Sequence, residues 1–330
     1  MIKVKTEPAP AASEATAGQL PPPGGDGFSL AHLSDLHLTT LENAKITQLL
    51  NKRLLGYFSW RRKRRIVHSR AIVDALLEDL RLTRPDHVAV TGDLTHLGLP
   101  EEFAEAGRWL QVLGTPDKVT VIPGNHEAYT GSAWSRSCAM WAPYLASDDP
   151  SDAGGTDFFP SLRVRGQVAL IGLSSAMPSA PYFAIGSLGE KQLARLGSLL
   201  EETRMQRLLR VLLIHHPPVP GTAKWRKRLV DSAALQKVLA RHGAELILHG
   251  HTHTPTRSEV HTPNGSITTI GAPSSSELNP WTGRCAKYNV YRMRPVGPTW
   301  EITKFIRGYS PAEGRFVAER ETTFRIPRAD

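Results

Sequence analysis

The stretch FSLAHLSDLH, residues 28–37, is a short apolar run that leads directly into Asp35 and His37. Four later apolar runs end in the same way, each with a polar motif at its exit. The five motifs are Asp35-Leu36-His37, Gly92-Asp93, Gly124-Asn125-His126-Glu127, His215-His216 and Gly250-His251-Thr252-His253. Carboxylates, amides and imidazoles are ligands that first-row divalent metals accept. The sequence therefore predicts a metal centre at strand ends, with metal-assisted hydrolysis as its chemistry.

The spacing of these runs predicts an α/β fold. Strand-like runs lie at 86–91, 119–122, 168–173, 211–214 and 245–248, and helix-period segments lie at 72–80, 101–113, 190–202 and 232–241. This alternation favours a mostly buried sheet with helices on its faces. Past residue 260, the runs 266–270, 287–294 and 300–306 are joined by Pro and Gly turns and predict a second, more antiparallel sheet. We expect two packed mixed β-sheets flanked by helices, a four-layer sandwich.

The chain is expected to consist of a tail, one domain and a short extension. Residues 1–27 are rich in Pro, Ala, Gly and Ser, a composition that predicts a disordered tail. The domain is expected over residues 28–307. The extension over 308–330 contains Tyr309, Phe316 and Phe324 among charged residues, so it could pack on its own sheet or on a neighbouring subunit.

The composition is ordinary for a globular protein, with 40% hydrophobic and 22% charged residues. No run approaches the ~20 apolar residues that span a bilayer, and no secretory signal follows the first lysines. Cys138 and Cys285 stand alone, which argues against a disulfide framework and fits a reducing compartment. A cytoplasmic location is therefore expected. The net charge of +9 favours anionic partners.

The local sequence also predicts how the motifs are shaped. Strand periodicity would put Asp35 and His37 on the same side of the chain, and would do the same for His251 and His253 if that motif is extended. Three of the motifs begin with a glycine, Gly92, Gly124 or Gly250, which lets the backbone turn sharply beside an ion. His96 follows Asp93 closely, and its proximity to the site is left open.

The other histidines lack a supporting pattern. His32, His68, His87 and His242 are interpreted as core or solvent residues.

The ordered motifs DxH, GD, GNHE, HH and GHTH resemble those of the calcineurin-like metallophosphoesterase superfamily, from about residue 28 to about residue 275. Their spacing is similar to that of bacterial class III cyclic-nucleotide phosphodiesterases. The resemblance implies two metal ions that share the carboxylate of Asp93. It also implies which side chains complete the coordination of each ion. These are Asp35, His37 and His253 for one ion and Asn125, His215 and His251 for the other.

The same resemblance implies a mechanism. The two ions would clamp the phosphoryl oxygens and hold a bridging hydroxide for in-line attack. His126 would protonate the leaving alkoxide, a transfer suited to an imidazole with a pKa near ~6.5. His216 is expected to orient a neighbouring ligand, and Glu127 to have a supporting role. The donor set accepts manganese, iron or zinc, and the sequence does not choose among them.

Two basic segments leave the strand ends near the predicted site. Residues 52–65 read KRLLGYFSWRRKRR, and residues 224–228 read KWRKR. Either segment could be a solvated surface. Alternatively, Arg62 and Arg226 contact an anionic substrate, or the segments contact a membrane surface or anionic lipid. Nucleic acid is not expected as a partner, because a nuclease would need a wider basic groove and the chain shows no extra domain for it.

Phosphodiester hydrolysis is the function that the sequence favours. A cyclic nucleotide is the first candidate among small phosphate-ester substrates, because GNHE, HHPP and GHTH match the bacterial type. The alternatives are a pyrophosphatase acting on a nucleotide-linked lipid such as UDP-diacylglucosamine, a nuclease, and a non-catalytic scaffold. Every ligand that the resemblance implies is present, which ranks the scaffold last.

Overall fold

The computed structural model describes residues 27–42, 44–131, 134, 137–149 and 158–328. Apart from Gly27, the predicted tail lies outside the described residues. Within those ranges, no helix combines the length and hydropathy that a membrane crossing requires. Cys138 and Cys285 are both free thiols.

Two sheets of six strands each form the centre of the described part of the chain. The first contains β1 Phe28–Leu33, β2 His87–Val90, β3 Val119–Val121, β10 Lys287–Val296, β11 Thr299–Ser310 and β12 Arg315–Pro327. The second contains β4 Ser161–Arg165, β5 Val168–Gly172, β6 Leu209–Ile214, β7 Leu246–His249, β8 Thr256–Thr262 and β9 Gly265–Gly271. The strand orders are β12-β11-β10-β1-β2-β3 and β4-β5-β6-β7-β9-β8.

Helices cover the outer faces of both sheets. They are α2 Arg70–Thr83, α3 Pro100–Leu113, α4 Glu190–Met205 and α5 Ser232–His242, whereas α1 Arg53–Ser59 packs in a separate small apolar cluster. Shorter helical turns lie at Ile46–Leu49, Arg65–Val67, Cys138–Trp141, Ala142–Leu145 and Trp225–Lys227, with a π-helical turn at Trp60–Arg64. Apolar residues of α2 and α3 pack against the first sheet, and those of α4 and α5 pack against the second.

An apolar core fills the space between the sheets. Leu30 of β1, Leu170 of β5, Leu213 of β6, Leu248 of β7 and Tyr291 of β10 all lie in it, fully buried. Each such leucine stabilises the fold by roughly 2 kcal/mol relative to an exposed one. The layer order helix, sheet, sheet, helix confirms the predicted four-layer sandwich.

The prediction that the strands after residue 260 form a sheet of their own is wrong. β8 and β9 extend the second sheet, whereas β10 pairs antiparallel with β1 in the first. Four consecutive residues of β10, 288–291, are buried, so both faces of this strand are covered. Tyr288 and Val290 pack on the helix side of the first sheet, and Tyr291 and Met293 pack in the core between the sheets. Pairing with β1 occupies an edge that β1 would otherwise expose.

The segment after Arg307 continues the first sheet. β11 runs on to Ser310, and β12 pairs with it antiparallel up to Pro327. Of the two arrangements that the sequence leaves open for residues 308–330, packing on the chain's own sheet is therefore the one adopted by residues 308–327.

A buried ion pair ties α2 to the C-terminal strands. Arg307 donates two hydrogen bonds of 2.6 Å to the Asp79 carboxylate, and the Tyr288 hydroxyl donates a third of 2.6 Å. We expect Asp79→Ala to lower the free energy of unfolding by about 3 kcal/mol, because the guanidinium loses its buried partner. In the control Asp74→Ala, the carboxylate is 61% exposed and pairs with Arg70, so a loss below about 1 kcal/mol is expected. Urea unfolding measures both, and equal losses would contradict the prediction.

Candidate metal centre

The carboxyl ends of β1, β2 and β3 in one sheet and of β6 and β7 in the other meet at one edge of the sandwich. The seven side chains predicted as metal ligands follow these strand ends: Asp35, His37, Asp93, Asn125, His215, His251 and His253. Ligand atoms of Asp35, His37 and His253 lie within 4.8 Å of one another, and so do those of Asp93, His215 and His251. The structure thus brings together side chains from both sheets.

The backbone at most of these residues is left-handed. The φ angles are 53° at Asp35, 44° at His37, 57° at Asp93, 70° at His251 and 55° at His253. The expectation that strand periodicity aligns Asp35 and His37 is therefore wrong, because β1 ends before them. The alignment of His251 and His253 depended on an extended motif, and β7 ends before them too. Such conformations cost about 1 kcal/mol or more each and persist mainly at functional sites. Their concentration here marks the edge as a functional site.

Hydrogen bonds orient three imidazoles so that one nitrogen of each faces inward. His37 Nδ1 and His215 Nδ1 lie 2.8 and 2.6 Å from backbone carbonyl oxygens, and His251 Nε2 lies 3.0 Å from a third. Each of these nitrogens donates its hydrogen, which in the neutral ring leaves a lone pair on the other nitrogen. His37 Nε2 is buried and has no hydrogen-bond partner among the described residues. A fixed tautomer with an unpartnered inner nitrogen is the form in which histidine binds metals.

Nitrogens of two imidazoles, His215 and His253, face oxygen atoms of other candidate ligands. His215 Nε2 lies 3.3 Å from Asp93 Oδ2 and 3.3 Å from Asn125 Oδ1, while His253 Nε2 lies 3.1 Å from Asp35 Oδ1. A proton on the imidazole or a metal ion must lie between such a nitrogen and oxygen, because their lone pairs would otherwise repel one another. The donor set, with two carboxylates, one amide and four imidazoles, therefore fits bound divalent metal ions.

The charges of the site shift the pKa values of its members. Burial opposes ionisation of Asp93, but the adjacent His215 and His126 outweigh it and lower the pKa of Asp93 to about 2. Burial lowers the pKa of His37 well below its usual value, so this imidazole is neutral at pH 7. Burial also opposes protonation of His215, whereas Asp93 and then Asp35 raise its pKa to about 9. Because a ligand imidazole must be neutral, metal binding at His215 is expected to release a proton.

Glycine at position 250 allows the His251 loop to approach the Asp35 loop closely. A Cβ at Gly250 would lie 1.8 Å from Ser34 Oγ and 2.8 Å from Asp35 Oδ2. We expect Gly250→Ala to weaken Mn²⁺ binding by about tenfold or more, because it displaces the Asp35 carboxylate. Gly107→Ala in α3 is the control, since its new Cβ would meet no atom closer than 3.6 Å. Calorimetric titration with Mn²⁺ measures both affinities, and unchanged binding by Gly250→Ala would refute the prediction.

Glu127 holds the loops that carry Asp93 and Asn125. Its carboxylate accepts hydrogen bonds of 2.9, 2.9 and 2.7 Å from the backbone N–H groups of Asp93, Thr95 and Gly124. Burial, together with the charge of Asp93, raises the pKa of Glu127 to about 7. These contacts fit the supporting role predicted for Glu127.

His126 lies at the rim of the site beside a guanidinium group. Its Nδ1 donates to the backbone carbonyl of His96, so its Nε2 is the nitrogen that faces Arg64 Nη1, at 3.1 Å. The His126 backbone N–H donates to Asp93 Oδ1 at 2.9 Å. Burial lowers the pKa of His126 to about 4, although the charge of Asp93 opposes the shift.

His216 packs behind His251. Its Nδ1 lies 2.7 Å from Ser175 Oγ and its Nε2 lies 3.2 Å from the Ala184 carbonyl. The ring centroids of His216 and His251 are 4.4 Å apart. Both nitrogens of His216 are thus engaged in hydrogen bonds, and the contacts fit the orienting role predicted for it.

Sequence reasoning missed two groups that surround the ligands, His68 and Glu277, and left the proximity of a third, His96, open. His68 and His96 pack on His37, with ring centroids 4.7 and 5.0 Å from its own. Glu277 Oε2 lies 3.7 Å from His253 Nδ1. The interpretation of His68 as a core or solvent residue is therefore incomplete, and His96 does lie beside the site.

A run of three serines before Glu277 is the signal that could have revealed this part of the site. Ser274 Oγ donates to the Asp35 carbonyl at 2.7 Å, and Ser276 Oγ donates to the Leu36 carbonyl at 2.6 Å. Buried hydroxyls directly after a strand need such partners. The run therefore fixes the loop that carries Asp35.

A cavity of about 300 Å³ opens over four of the predicted ligands, Asp93, Asn125, His251 and His253. Besides these, its lining includes Lys52, Leu55, Arg64, Tyr129, Phe183 and Lys227. Arg62 and Arg226, predicted as substrate contacts, are exposed and do not belong to the described lining, whereas Arg64 and Lys227 do. Side chains two positions apart in a helical turn point to different faces, and this difference separates Arg62 from Arg64.

The sandwich fold and its edge of carboxylates and imidazoles define the class of protein as a metallohydrolase. The family model for calcineurin-like phosphoesterases matches residues 28–255, and the chain belongs to this family. The resemblance stated from the sequence is thereby confirmed. The protein is a metal-dependent hydrolase acting on phosphoric esters.

Two curated relatives are named as phosphodiesterases. The chain is 26% identical over 238 residues to the glycerophosphodiester phosphodiesterase GpdQ of Enterobacter lignolyticus, covering 70% of this chain and 72% of that protein. It is 31% identical over 177 residues to a probable cyclic nucleotide phosphodiesterase of Rhodococcus erythropolis, covering 52% of this chain and 53% of that protein. The alignment thus spans about half the length of the Rhodococcus relative.

Two solved structures share the fold. A dimetal phosphatase from Danio rerio superposes with a TM-score of 0.55 at 14% identity, covering 92% of this chain and 100% of that chain. The purple acid phosphatase PPD1 from yellow lupin superposes with a TM-score of 0.55 at 10% identity, covering 90% and 53%. At these identities the likeness concerns the fold alone.

Proposed function

We propose that this protein is a two-metal phosphodiesterase. The observation that carries the proposal is the convergence of nitrogen and oxygen ligand atoms, in which His215 Nε2 lies 3.3 Å from both Asp93 Oδ2 and Asn125 Oδ1. A site of this kind suits ions that stabilise charge on a phosphoryl group. The names of the two curated relatives favour a diester over a monoester as substrate.

Asp93 would be shared by the two ions. The coordination of one ion would be completed by Asp35, His37 and His253, and that of the other by Asn125, His215 and His251. When bound, the ions would supply charge neutralisation at the phosphoryl group and a water of lowered pKa. Manganese, iron and zinc all accept these ligands.

Arg64 would hold the phosphoryl group from the side opposite the ions. Among the described residues, no carboxylate lies within ion-pair distance of this guanidinium, and its hydrogen-bond partner is the imidazole of His126. A guanidinium presents five N–H donors in a fork that matches phosphate oxygens. An anionic group bound between Arg64 and the ions would satisfy the donors that His126 leaves open.

His126 would deliver a proton to the leaving oxygen. Its Nδ1 is fixed by the His96 carbonyl, so Nε2 is the nitrogen that faces the cavity. The low pKa of His126 arises chiefly from burial. A phosphoryl anion beside Nε2 would favour the protonated form, so the acid would form as the substrate binds.

A cyclic nucleotide is the first substrate to test. The name of the Rhodococcus relative supports it, and the aromatic rings of Tyr129 and Phe183 in the cavity lining offer surfaces for a base. A glycerophosphodiester is the second, after the name of the Enterobacter relative. A nucleotide-linked lipid such as UDP-diacylglucosamine would need the apolar surface outside the cavity.

Activity on two model esters tests the proposal. We expect the full chain, loaded with Mn²⁺, to hydrolyse bis(p-nitrophenyl) phosphate at a higher kcat/KM than p-nitrophenyl phosphate, and a chelator to abolish both activities. A faster monoester reaction would overturn the preference for diesters. A chain that purifies with metal and hydrolyses neither ester would support a non-catalytic scaffold instead.

Arg64→Gln is expected to raise KM for bis(p-nitrophenyl) phosphate by about tenfold to a hundredfold, because charge-assisted hydrogen bonds to the phosphoryl oxygens are lost. Arg62→Gln is the matched control, since this side chain is exposed and lies outside the described cavity lining. Steady-state kinetics measure both variants. An effect of Arg62→Gln as large as that of Arg64→Gln would return the assignment to Arg62.

We also propose a cytoplasmic location for the chain. The two free cysteines, of which Cys138 is buried, fit a reducing compartment. Cell fractionation with an antibody to the chain tests this.

A further inference from the structure

The charge of the chain is concentrated in one segment. Residues 43–73 contain nine lysines and arginines and no acidic residue, whereas the whole chain has 40 basic and 31 acidic residues. The remainder is therefore balanced, and the net charge of +9 resides in this segment. We call residues 46–67 of it the cap.

The inner side of the cap is well packed. Trp60 is 3% exposed and lies in a small apolar core with Leu41, Leu49, Leu97 and Leu99. The cap is thus an ordered part of the fold, and its outward side chains are held in place by this packing.

The outer side of the cap presents large apolar side chains to solvent. Leu50 is 73% exposed and Phe58 is 53% exposed. The full set of exposed apolar cap residues is Ile46, Leu50, Leu54, Leu55, Phe58 and Ile66. Exposed apolar groups gathered in one short segment typically mark an interaction surface.

Basic side chains are interleaved with these apolar ones. Arg61, Arg62, Lys63 and Arg65 are exposed. In the part of the chain that the structure describes, no carboxylate lies within ion-pair distance of any of these four. The outer face of the cap is therefore both apolar and positively charged.

The mouth of the cavity lies on the same side as the cap. Leu55 of the cap lines the cavity, and so does Tyr182, which is 79% exposed. Lys52 Nζ donates to the Ser179 carbonyl at 2.7 Å, which joins the cap to the opposite rim. On that rim, Trp225 is 63% exposed beside the exposed Arg226.

From this arrangement we propose that the cap docks the protein onto an anionic phospholipid bilayer, with the mouth of the cavity toward the lipid. Apolar side chains of an interfacial helix enter the boundary between headgroups and acyl chains, while basic side chains pair with lipid phosphates. A soluble anion would account for the charges but not for the exposed leucines and Phe58. The core of a protein interface is depleted of charged residues, in contrast to this interleaved face. Leu54, Phe58, Arg61, Lys63 and Arg65 of this surface lie outside the described cavity lining, so docking through them does not depend on the proposed function.

Vesicle sedimentation with the full chain tests the proposal. We expect binding to vesicles of phosphatidylglycerol and phosphatidylcholine in equal parts, weakened by salt, and little binding to pure phosphatidylcholine. The triple variant Arg61→Glu/Lys63→Glu/Arg65→Glu should bind at least about a hundredfold more weakly. Leu54→Ser/Phe58→Ser should bind about tenfold more weakly.

The matched control Lys191→Glu/Lys237→Glu/Arg241→Glu changes the net charge equally through exposed residues of α4 and α5. It should bind the anionic vesicles nearly as well as the unaltered chain. A wild-type chain that stays in the supernatant with every vesicle overturns the proposal, and so does a control that loses binding as much as the cap variant. Self-association that Leu54→Ser/Phe58→Ser abolishes, without vesicle binding, would assign the surface to a second copy instead.

Hydrolysis of bis(p-nitrophenyl) phosphate by the same variants separates this inference from the proposed function. The cap variants should keep the activity of the unaltered chain on this soluble ester, because the substituted side chains lie outside the described cavity lining. Vesicle binding by a chain without phosphodiesterase activity would remove the proposed function and leave the docking surface intact.

Discussion

Asp93→Asn is expected to lower kcat/KM for bis(p-nitrophenyl) phosphate by about a thousandfold or more. Among the described residues, Asp93 is the carboxylate whose oxygens lie close both to nitrogens of His37 and His126 on one side and to nitrogens of His215 and His251 on the other. Asparagine keeps the shape and the hydrogen bond that Asp93 Oδ1 accepts from the His126 backbone. It removes the negative charge that two cations would share, which is worth several kcal/mol in a two-metal site. The loss should appear in metal content as well as in rate.

Asp86→Asn is the matched control, because Asp86 precedes β2 whereas Asp93 follows it. Its carboxylate accepts hydrogen bonds of 2.8 and 2.6 Å from Ser29, far from the candidate ligands. We expect this variant to keep its metal content and its kcat/KM. Asp93→Asn that retains both ions and most of the rate would show that Asp93 does not join the ions.

His126→Ala should lower kcat by about 10²- to 10⁴-fold for diesters with a poor, alkyl leaving group. The reason is that an alkoxide must be protonated as it leaves, and His126 Nε2 faces the cavity where that oxygen would lie. A p-nitrophenolate ion leaves without a proton, so the loss for bis(p-nitrophenyl) phosphate should be much smaller. Kinetics of one variant on the two classes of ester measure the difference.

The comparison of the two esters is its own control, because damage to the fold or the metal ligands would lower both rates equally. Equal losses on the alkyl and nitrophenyl esters would therefore assign His126 to binding or structure. A larger loss on the nitrophenyl ester would contradict a proton-donor role outright.

Much of the fold could be predicted from the sequence because its signals are local. Apolar runs predicted nine of the twelve described strands, all but β4, β8 and β12, and α3, α4 and α5 lie within a few residues of the predicted helices. The partner of β10 could not be predicted, because pairing with β1 joins residues such as Leu30 and Tyr291 that are far apart in the chain. No local pattern carries that information.

The candidate ligands were predictable for a different reason. Each lies directly after a strand, so the order of motifs along the chain determines which side chains share the edge. The geometry was not predictable, since left-handed backbone at Asp35 and His37 depends on contacts such as the hydrogen bond from the Asp35 N–H to the Gly92 carbonyl, 3.0 Å long. Arg64 was missed in favour of Arg62 because the run of five basic residues gives no sign of which one turns inward.

The central claim is that two ions share one site at the edge of the sandwich, and electron paramagnetic resonance of the Mn²⁺-loaded chain tests it most directly. With two equivalents of Mn²⁺ per chain, we expect the spectrum of an exchange-coupled pair, because ions that share the Asp93 carboxylate would lie ~3.5–4 Å apart. The coupled signal should disappear in Asp93→Asn. A spectrum of isolated Mn²⁺ at every loading of the unaltered chain would contradict the two-metal account.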